Sequence, residues 1–150
     1  MKSLFNRSLN TERLEITPLT PGDSPFILKL LNSEGWLKYI GDRPVNSIPS
    51  ARQYIKNIIE SQTTNYWLVR LKNADTSIGV VTLIKKDYLP SHDIGFAFLP
   101  EFMGKGYAYE AARCVLDYVI NECNLEEVLA VTIPENDSSI TLLKRLNFTH

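Results

Sequence analysis

Apolar and polar residues follow two different periods along this chain, and the periods divide it into strands and helices. Alternation typical of β-strands covers residues 14–19, 66–71, 77–84 and 92–99, and a further β-like run covers 128–133. Short turns, such as the one at residues 73–75, separate neighbouring runs. The strands of the first two-thirds of the chain therefore predict an antiparallel meander.

Helical spacing of apolar residues predicts four helices around these strands. The first follows a turn at residues 21–23, and the second runs to residue 61 from Ser50, its predicted N-cap. The third covers residues 107–122, and the last begins at Asp137 or Ser138 and ends at Leu146. A strand, a helix and a strand in succession predict a parallel pair joined by a crossover. The predicted fold class is α+β, a mixed and mostly antiparallel sheet with a central βαβ unit.

Length and composition indicate one globular domain over residues 1–150. The chain is 44% hydrophobic and 22% charged, which is typical of folded domains rather than disordered chains. A net charge of -1 gives no support for a nucleic-acid partner, and no apolar run reaches the length of a membrane span. We therefore expect a cytoplasmic protein with neither a membrane nor a nucleic-acid partner. Two histidines and two cysteines without ligand spacing predict no metal site.

Residues 93–112, DIGFAFLPEFMGKGYAYEAA, contain the most informative motif. A β-like run leads through a Pro-Glu turn to Gly104-Lys105-Gly106 at the start of the third helix. Such a loop leaves backbone N–H groups without partners at the positive end of a helix dipole, and together they form an anion site. The motif predicts a phosphate-bearing ligand, although a plain helix entry with two turn glycines has the same sequence. Neither GxxxxGK[ST] nor GxGxxG is present, which excludes the common nucleotide loops.

This order of elements, with the glycine loop opening the central helix, resembles the GNAT superfamily of acyl-CoA-dependent N-acetyltransferases. Three segments carry the resemblance. Residues 11–23 resemble the opening of the branch that contains the ribosomal-protein N-terminal (alanine/serine) acetyltransferases. Residues 94–111 resemble the acetyl-CoA motif, and residues 136–148 resemble the Asn-x-x-Ser helix and Leu-Gly-Phe ending of that branch. The resemblance implies a GNAT fold and acetyl-CoA as the co-substrate.

The resemblance assigns cofactor binding to the loop and to the strand before it. The family pattern Q/R-x-x-G-x-G/A falls on the loop, and the pantetheine arm is implied to lie along the strand backbone, whose side chains are core residues. A backbone N–H of Phe98 or Leu99 is implied to polarise the thioester carbonyl. Asn136 is implied to bind a pantetheine amide, with a helix-start role as the alternative. The implied cofactor-binding residues are Phe96, Phe98, Leu99, Met103, Gly104, Lys105, Gly106, Tyr107, Ala108 and Asn136.

The sequence departs from the family pattern at three places. Met103 stands where Gln or Arg is usual, and Asn147 replaces the glycine of the C-terminal motif. Family members continue with two more strands, whereas this sequence ends at His150. Relative to the family the domain is thus expected to be truncated, with an open sheet edge near Val131. We expect a homodimer to cover that edge.

The attacking amine must lose a proton before it reacts, so whether the site needs a general base depends on the pKa of the amine. At pH 7 this step costs about 4.6 kcal/mol for a lysine and only about 1.4 kcal/mol for an α-amine. Asp93 and the adjacent His92 are candidate general bases, and the alternative for Asp93 is a solvated charge at a strand end. Ser139 is the candidate proton donor to the leaving thiolate and is otherwise a helix cap. Glu110, in the family's Glu-Ala pair, is implied to support the loop.

The predicted function is transfer of an acetyl group from acetyl-CoA to a protein N-terminus or a small amine by direct attack. One alternative is a non-catalytic acyl-CoA-binding or regulatory module of the same fold. Another is an unrelated α+β domain whose loop binds a different phosphate ligand. Acceptor specificity is expected in the first two helices and the loop at residues 42–49. Trp36, Tyr39 and Trp67 are candidate lining residues, with core packing as the alternative for Trp67.

Overall fold

A computed structural model of the 150-residue chain describes residues 5–34, 36, 45–132 and 136–149. The strands are β1 (Leu9–Asn10), β2 (Leu14–Pro18), β3 (Thr64–Leu71), β4 (Thr76–Ile84) and β5 (Asp93–Phe98). The helices are α1 (Ser24–Leu31), α2 (Ile48–Glu60), α3 (Tyr107–Asn121) and α4 (Asp137–Arg145), with 3-10 turns at Pro21–Asp23 and Pro100–Phe102. Most predicted bounds agree closely with these elements; the exceptions are the start of α2, the predicted strand at residues 128–133, and β1, which is only two residues long and was not predicted.

The five strands form one antiparallel sheet in the order β1-β2-β3-β4-β5, which confirms the meander and the α+β class. A β-bulge interrupts the pairing of β3 with β4. Val69 pairs with Gly79 and Arg70 pairs with Ser77, so Ile78 is an extra residue in β4. At the bulge the Ile78 carbonyl accepts a hydrogen bond from the Leu99 N–H at 3.0 Å, which fixes the exit of β5.

Helices cover both faces of the sheet. On one face α3 and α4 pack on a core that includes Trp67 and Val81, and on the other α1 and α2 pack on Leu68 and Val80. Trp67 is fully buried, and its indole N–H donates to the Arg7 carbonyl at 3.0 Å. Trp67 is therefore a core residue, and Tyr39 lies outside the described residues. No helix in the described part of the chain is long and apolar enough to cross a bilayer.

The chain after α3 returns alongside β5 and joins it at one point. Leu129 forms a parallel bridge with Asp93, made by the backbone of the residues on either side of Asp93. The Leu129 N–H donates to the His92 carbonyl at 2.9 Å, and the Ile94 N–H donates to the Leu129 carbonyl at 2.8 Å. The bridge agrees with the predicted parallel βαβ arrangement. The predicted strand at residues 128–133 is wrong in its extent, because among residues 128–132 only Leu129 joins the β5 ladder.

The second helix begins earlier than predicted, and its N-cap is Ser47 rather than Ser50. The Ser47 hydroxyl oxygen accepts from the Ser50 N–H at 3.2 Å, and the Ser50 hydroxyl oxygen accepts from the Ser47 N–H at 3.1 Å. Two serines at this spacing thus cap the helix reciprocally. Pro49 lies in the first turn, where no backbone N–H is needed.

Candidate functional site

The glycine loop, residues 103–106, leads from the 3-10 turn after β5 into α3 and is exposed along its whole length. Gly104 has φ of +76° and Gly106 has φ of +82°, a left-handed conformation that other residues adopt only with strain. Gly106 is also the N-cap of α3, and it has no side chain with which to cap the first turn. The local sequence therefore places an uncapped helix N-terminus behind an exposed loop.

Backbone N–H groups at this helix entry are available to a ligand. The first helical hydrogen bond runs from the Glu110 N–H to the Gly106 carbonyl at 3.0 Å. None of the residues that the structure describes accepts a hydrogen bond from the N–H groups of Gly104 through Tyr109. Because these donors lie at the positive end of the α3 dipole, they form a candidate site for an anion with several oxygen atoms. A plain helix entry can have the same two glycines, and there a capping side chain usually occupies part of such a run of donors; at Gly106 no side chain does.

The outer edge of β5 offers a second set of backbone groups. Since the Ile94 N–H points outward to Leu129, strand alternation directs the N–H groups of Phe96 and Phe98 outward as well. Neither has a backbone partner on that side among the described residues. The N–H of Leu99 points the other way and is already bound to the Ile78 carbonyl at 3.0 Å. Of the two N–H groups predicted to polarise a carbonyl, only that of Phe98 is available.

Close packing holds Phe98 in place at this edge. Phe98 lies opposite Gly79 of β4, and a Cβ added to Gly79 would lie 2.5 Å from the Phe98 ring and 2.6 Å from the Ala97 carbonyl oxygen. Glycine at position 79 therefore lets the ring lie directly on the neighbouring strand. The side chain of Phe98 is buried in the core below α3, and Phe96 packs against the same core, as predicted.

Asp93 begins β5 on the opposite face from Ile94, towards α1 and α2. Its carboxylate is buried. Oδ2 accepts from the Lys86 ammonium at 3.3 Å, while Oδ1 has no hydrogen-bond partner among the described residues. The neighbouring His92 ring stacks edge-on against Phe5. Burial and the Lys85 charge lower the pKa of His92, and the charge of Asp93 offsets only part of that shift. A buried carboxylate oxygen without a donor is a candidate proton acceptor.

The start of α4 holds the other predicted polar residues. Asn136 is the N-cap, and its Oδ1 accepts from the Ser139 N–H at 3.3 Å. Ser139 is therefore in the first turn and is not the cap. The Asn136 cap uses only the amide oxygen, which leaves the amide N–H groups as donors for a second partner. The Ser139 hydroxyl has no hydrogen-bond partner among the described residues.

Around the loop, Met103 is half-exposed, and the Lys105 ammonium forms no ion pair with a described residue. Tyr107 and Ala108 form the half-buried first residues of α3. The Arg13 guanidinium lies over the Tyr107 ring, 4.4 Å from its centroid. The described residues contain no cluster of three or more metal-ligating side chains.

Sequence reasoning missed the role of Arg13, which reaches the loop from the turn before β2. Its Nε donates to Glu110 Oε1 at 2.7 Å, and its Nη1 donates to the Lys105 carbonyl at 3.2 Å. Burial pulls the pKa of Glu110 upward, but hydrogen bonds from Thr11 and Arg13 and the Arg13 charge outweigh it and lower the pKa. Position 13 appeared in the sequence only as part of the segment that resembles a family opening.

The fold is the GNAT fold, and its candidate site is a glycine-rich loop beside the outer edge of β5, the last strand of the described sheet. The chain matches the family model of the acetyltransferase (GNAT) domain over residues 13–149 and belongs to that family, as the sequence resemblance implied. Its homologues are N-acetyltransferases, and the protein is an enzyme of the N-acetyltransferase type.

Three relatives illustrate the match. The chain is 28% identical over 138 residues to the uncharacterized N-acetyltransferase YnaD of Bacillus subtilis, covering 92% of this chain and 80% of the relative. The spermidine N-acetyltransferase of Vibrio cholerae, solved with CoA and spermine, has a TM-score of 0.79 at 25% identity, covering 93% and 82% of the two chains. The ribosomal-protein-S5-alanine acetyltransferase of Vibrio fischeri has a TM-score of 0.82 at 21% identity, covering 95% and 83%. The last of these shows a shared fold alone.

Proposed function

We propose that the protein transfers an acetyl group from acetyl-CoA to a primary amine, which attacks the thioester directly. The observation that carries this proposal is the run of backbone N–H groups from Gly104 to Tyr109 at the start of α3. A pyrophosphate has several charged oxygens within a few ångströms of one another and matches such a run. The Vibrio cholerae relative was solved with CoA bound, which supports this choice of anion.

The pantetheine arm is proposed to lie along the outer edge of β5, where it would add its amides to the backbone groups of Phe96 and Phe98. The thioester carbonyl would then accept from the Phe98 N–H, because the Leu99 N–H is engaged by Ile78. A preorganised donor at that position stabilises the oxyanion that develops when the amine attacks. The amide N–H groups of Asn136, left over from its cap, would donate to a pantetheine carbonyl.

Proton transfer is assigned to two side chains. Asp93, whose Oδ1 lacks a donor, would accept the proton of the amine, directly or through a water molecule. Asp93 is buried on the face towards α1 and α2, the helices in which acceptor specificity was predicted, and this position supports the proposed role. Ser139 would donate a proton to the departing thiolate, since only its backbone N–H is used in the cap.

The acceptor is proposed to be a small polyamine-like amine or a protein N-terminus, and the two make different demands on the site. Relatives named for spermidine act on an amine with a high pKa, which must lose a proton at a cost of about 4.6 kcal/mol at pH 7 if it behaves like lysine. An α-amine costs about 1.4 kcal/mol. Removal of the base should therefore impair the first class of acceptor far more than the second.

The test measures CoA-thiol release from acetyl-CoA with a panel of spermidine, a Lys-containing N-blocked peptide, and peptides with free Ala or Ser N-termini. Mass spectrometry locates the acetyl group. Gly106→Trp fills the loop and should abolish CoA binding in calorimetry, while circular dichroism checks that the variant is folded. Asp93→Asn should reduce turnover most for acceptors of high pKa.

The outcomes separate the proposal from its alternatives. Thiol release with a primary amine, lost in Gly106→Trp, supports acetyl transfer. Binding of acetyl-CoA without thiol release for any acceptor would instead indicate a non-catalytic module. Failure of acetyl-CoA to raise the Tm, where another phosphate ligand does raise it, would show that the loop serves a different ligand.

A further inference from the structure

The Arg13 guanidinium makes three separate contacts on the loop side of α3. Its Nε donates to Glu110 Oε1 at 2.7 Å, its Nη1 donates to the Lys105 carbonyl at 3.2 Å, and its guanidinium lies 4.4 Å from the Tyr107 ring centroid. One side chain thus holds the loop, the first helical residue and the first turn of α3 together. The nearest atom to a Cβ added at Gly106 would be Arg13 Nη2, at 3.4 Å.

Glu110 is held from the same segment by two further donors. The Thr11 hydroxyl donates to Oε2 in a short contact, and the Arg13 backbone N–H donates to Oε2 at 3.1 Å. The segment itself is fixed, because the Thr11 N–H donates to the Leu14 carbonyl at 2.9 Å and the Lys72 N–H donates to the Arg13 carbonyl at 2.9 Å. The contacts of Thr11, Arg13 and Glu110 with each other and with the loop form a latch between the sheet and the loop.

The latch sets the direction of a loop donor. In a trans peptide the C=O and the following N–H point in opposite directions, and no cis peptide occurs in the described residues. Because Arg13 holds the Lys105 carbonyl, the N–H of Gly106 in the same peptide plane must point away from Arg13. That N–H belongs to the run of donors without partners at the start of α3.

We propose that Arg13 is a positioning residue for the pyrophosphate of CoA, acting through Glu110 and the Lys105 carbonyl. This inference rests on the proposed function. The latch holds a glycine-rich loop in its binding shape before the ligand arrives, so the ordering entropy is lost on folding and not on binding. The guanidinium is committed to Glu110 and Lys105 and does not itself contact the phosphate.

Two other roles for Arg13 predict different effects of substitution on CoA affinity and on the Tm. A guanidinium that binds phosphate directly would be released by loss of Glu110, and CoA would then bind as tightly as before or more tightly. An ion pair that only stabilises the fold would lower the Tm on removal and leave CoA affinity unchanged. The positioning role requires that loss of either partner weakens CoA binding by a similar factor.

The experiment compares Arg13→Gln, Glu110→Gln and the double variant with the wild-type chain. Calorimetry measures CoA affinity, steady-state kinetics separate kcat from KM for acetyl-CoA, and S-acetylpantetheine serves as a substrate without the pyrophosphate. The matched control is Arg7→Gln, which removes an exposed ion pair between Arg7 and Glu122 just beyond the far end of α3. Arg13→Lys and Thr11→Val are milder variants in case Arg13→Gln does not fold.

Each single variant should bind CoA about five- to thirtyfold more weakly, the loss expected if one backbone residue of the loop regains its freedom. The double variant should be no weaker than the weaker single variant. KM for acetyl-CoA should rise, whereas kcat should stay within about twofold of the wild-type value. Activity with S-acetylpantetheine should not change. Arg13→Lys keeps the charge but cannot bridge Glu110 and the Lys105 carbonyl, so it should fall between wild type and Arg13→Gln.

Unchanged or tighter CoA binding in Glu110→Gln together with weaker binding in Arg13→Gln would overturn the proposal in favour of direct phosphate contact. Lower Tm with unchanged CoA affinity in both variants would overturn it in favour of a purely structural ion pair. If the wild-type chain binds CoA and all the variants bind equally well, this inference alone fails. If the wild-type chain itself does not bind CoA, the proposed function fails and this inference fails with it.

Discussion

Gly104 provides a direct test of the loop conformation, because its surroundings isolate a single physical effect. Its φ is +76°, and a Cβ added there would meet no atom within 4 Å. Any loss of stability on substitution must therefore come from backbone strain and not from a clash. The left-handed conformation costs an L-residue roughly 1–2 kcal/mol, less for Asn and more for a β-branched residue.

This strain converts to a measurable change in melting temperature. For a chain of this size, about 1 kcal/mol lowers the Tm by about 2–4 °C, so Gly104→Ala should lower it by about 2–8 °C. Gly104→Asn should lower the Tm by less, and Gly104→Val by more. Thermal unfolding followed by circular dichroism gives this ranking. CoA affinity measured on the folded Ala and Asn variants should stay close to that of the wild type, because every loop N–H remains.

Gly22 supplies the matched control. It lies in the 3-10 turn at Pro21–Asp23 without a positive φ, and an added Cβ would make only an ordinary 3.6 Å contact with Thr20. Gly22→Ala should leave the Tm unchanged or raise it, since alanine restricts the unfolded chain. If Gly104→Ala behaves in the same way, or if Ala, Asn and Val are equivalent at position 104, the left-handed loop is refuted.

Three further predictions follow from packing, capping and titration. Gly79→Ala should cost about 1–3 kcal/mol, because its Cβ would lie 2.5 Å from the Phe98 ring; an unchanged Tm would contradict that contact. Asn136→Ala should lose about 0.5–2 kcal/mol of cap energy, whereas Asn136→Asp should keep the Tm but weaken CoA binding if the amide N–H groups contact pantetheine. The folded-state pKa of His92 lies below its ordinary value of 6.5, so the unfolded chain binds more protons and stability falls as the pH drops below 6.5. His92→Gln should flatten that part of the curve in urea titrations, and an identical slope in both proteins would argue against it.

The periodicity of apolar residues was enough to predict most strands and helices, because it depends on which faces of each element are buried. Helical spacing over α3 reflects one buried face, and the apolar runs of β3 and β4 reflect strands buried on both faces between the two cores. The two loop glycines were informative because both need a backbone conformation that few other residues tolerate.

The start of α2 was predicted wrongly because two residues near it could each cap the helix equally well. Ser47 and Ser50 are both good N-caps at the start of the same apolar pattern, and only the reciprocal hydrogen bonds of the folded helix distinguish them.

Arg13 was missed for a different reason. Its partners Lys105 and Glu110 lie more than ninety residues away in sequence, and no periodic pattern connects positions that meet only through the tertiary fold.

The strand predicted at residues 128–133 fails in a way that bears on function. Its β-branched and apolar residues favour a ladder with β5, yet among residues 128–132 only Leu129 joins it. A complete ladder would have used the outward N–H groups of Phe96 and Phe98, and no edge would remain for a pantetheine arm. Departures from local preference concentrate at functional sites, because there the unpaired group is what the ligand needs. On this reasoning, substitutions that extend pairing from Leu129 towards Val131 should stabilise the sheet and weaken binding of acetyl-CoA. The loop would keep its donors for the pyrophosphate, so ADP, which has a pyrophosphate but no pantetheine, should bind as before.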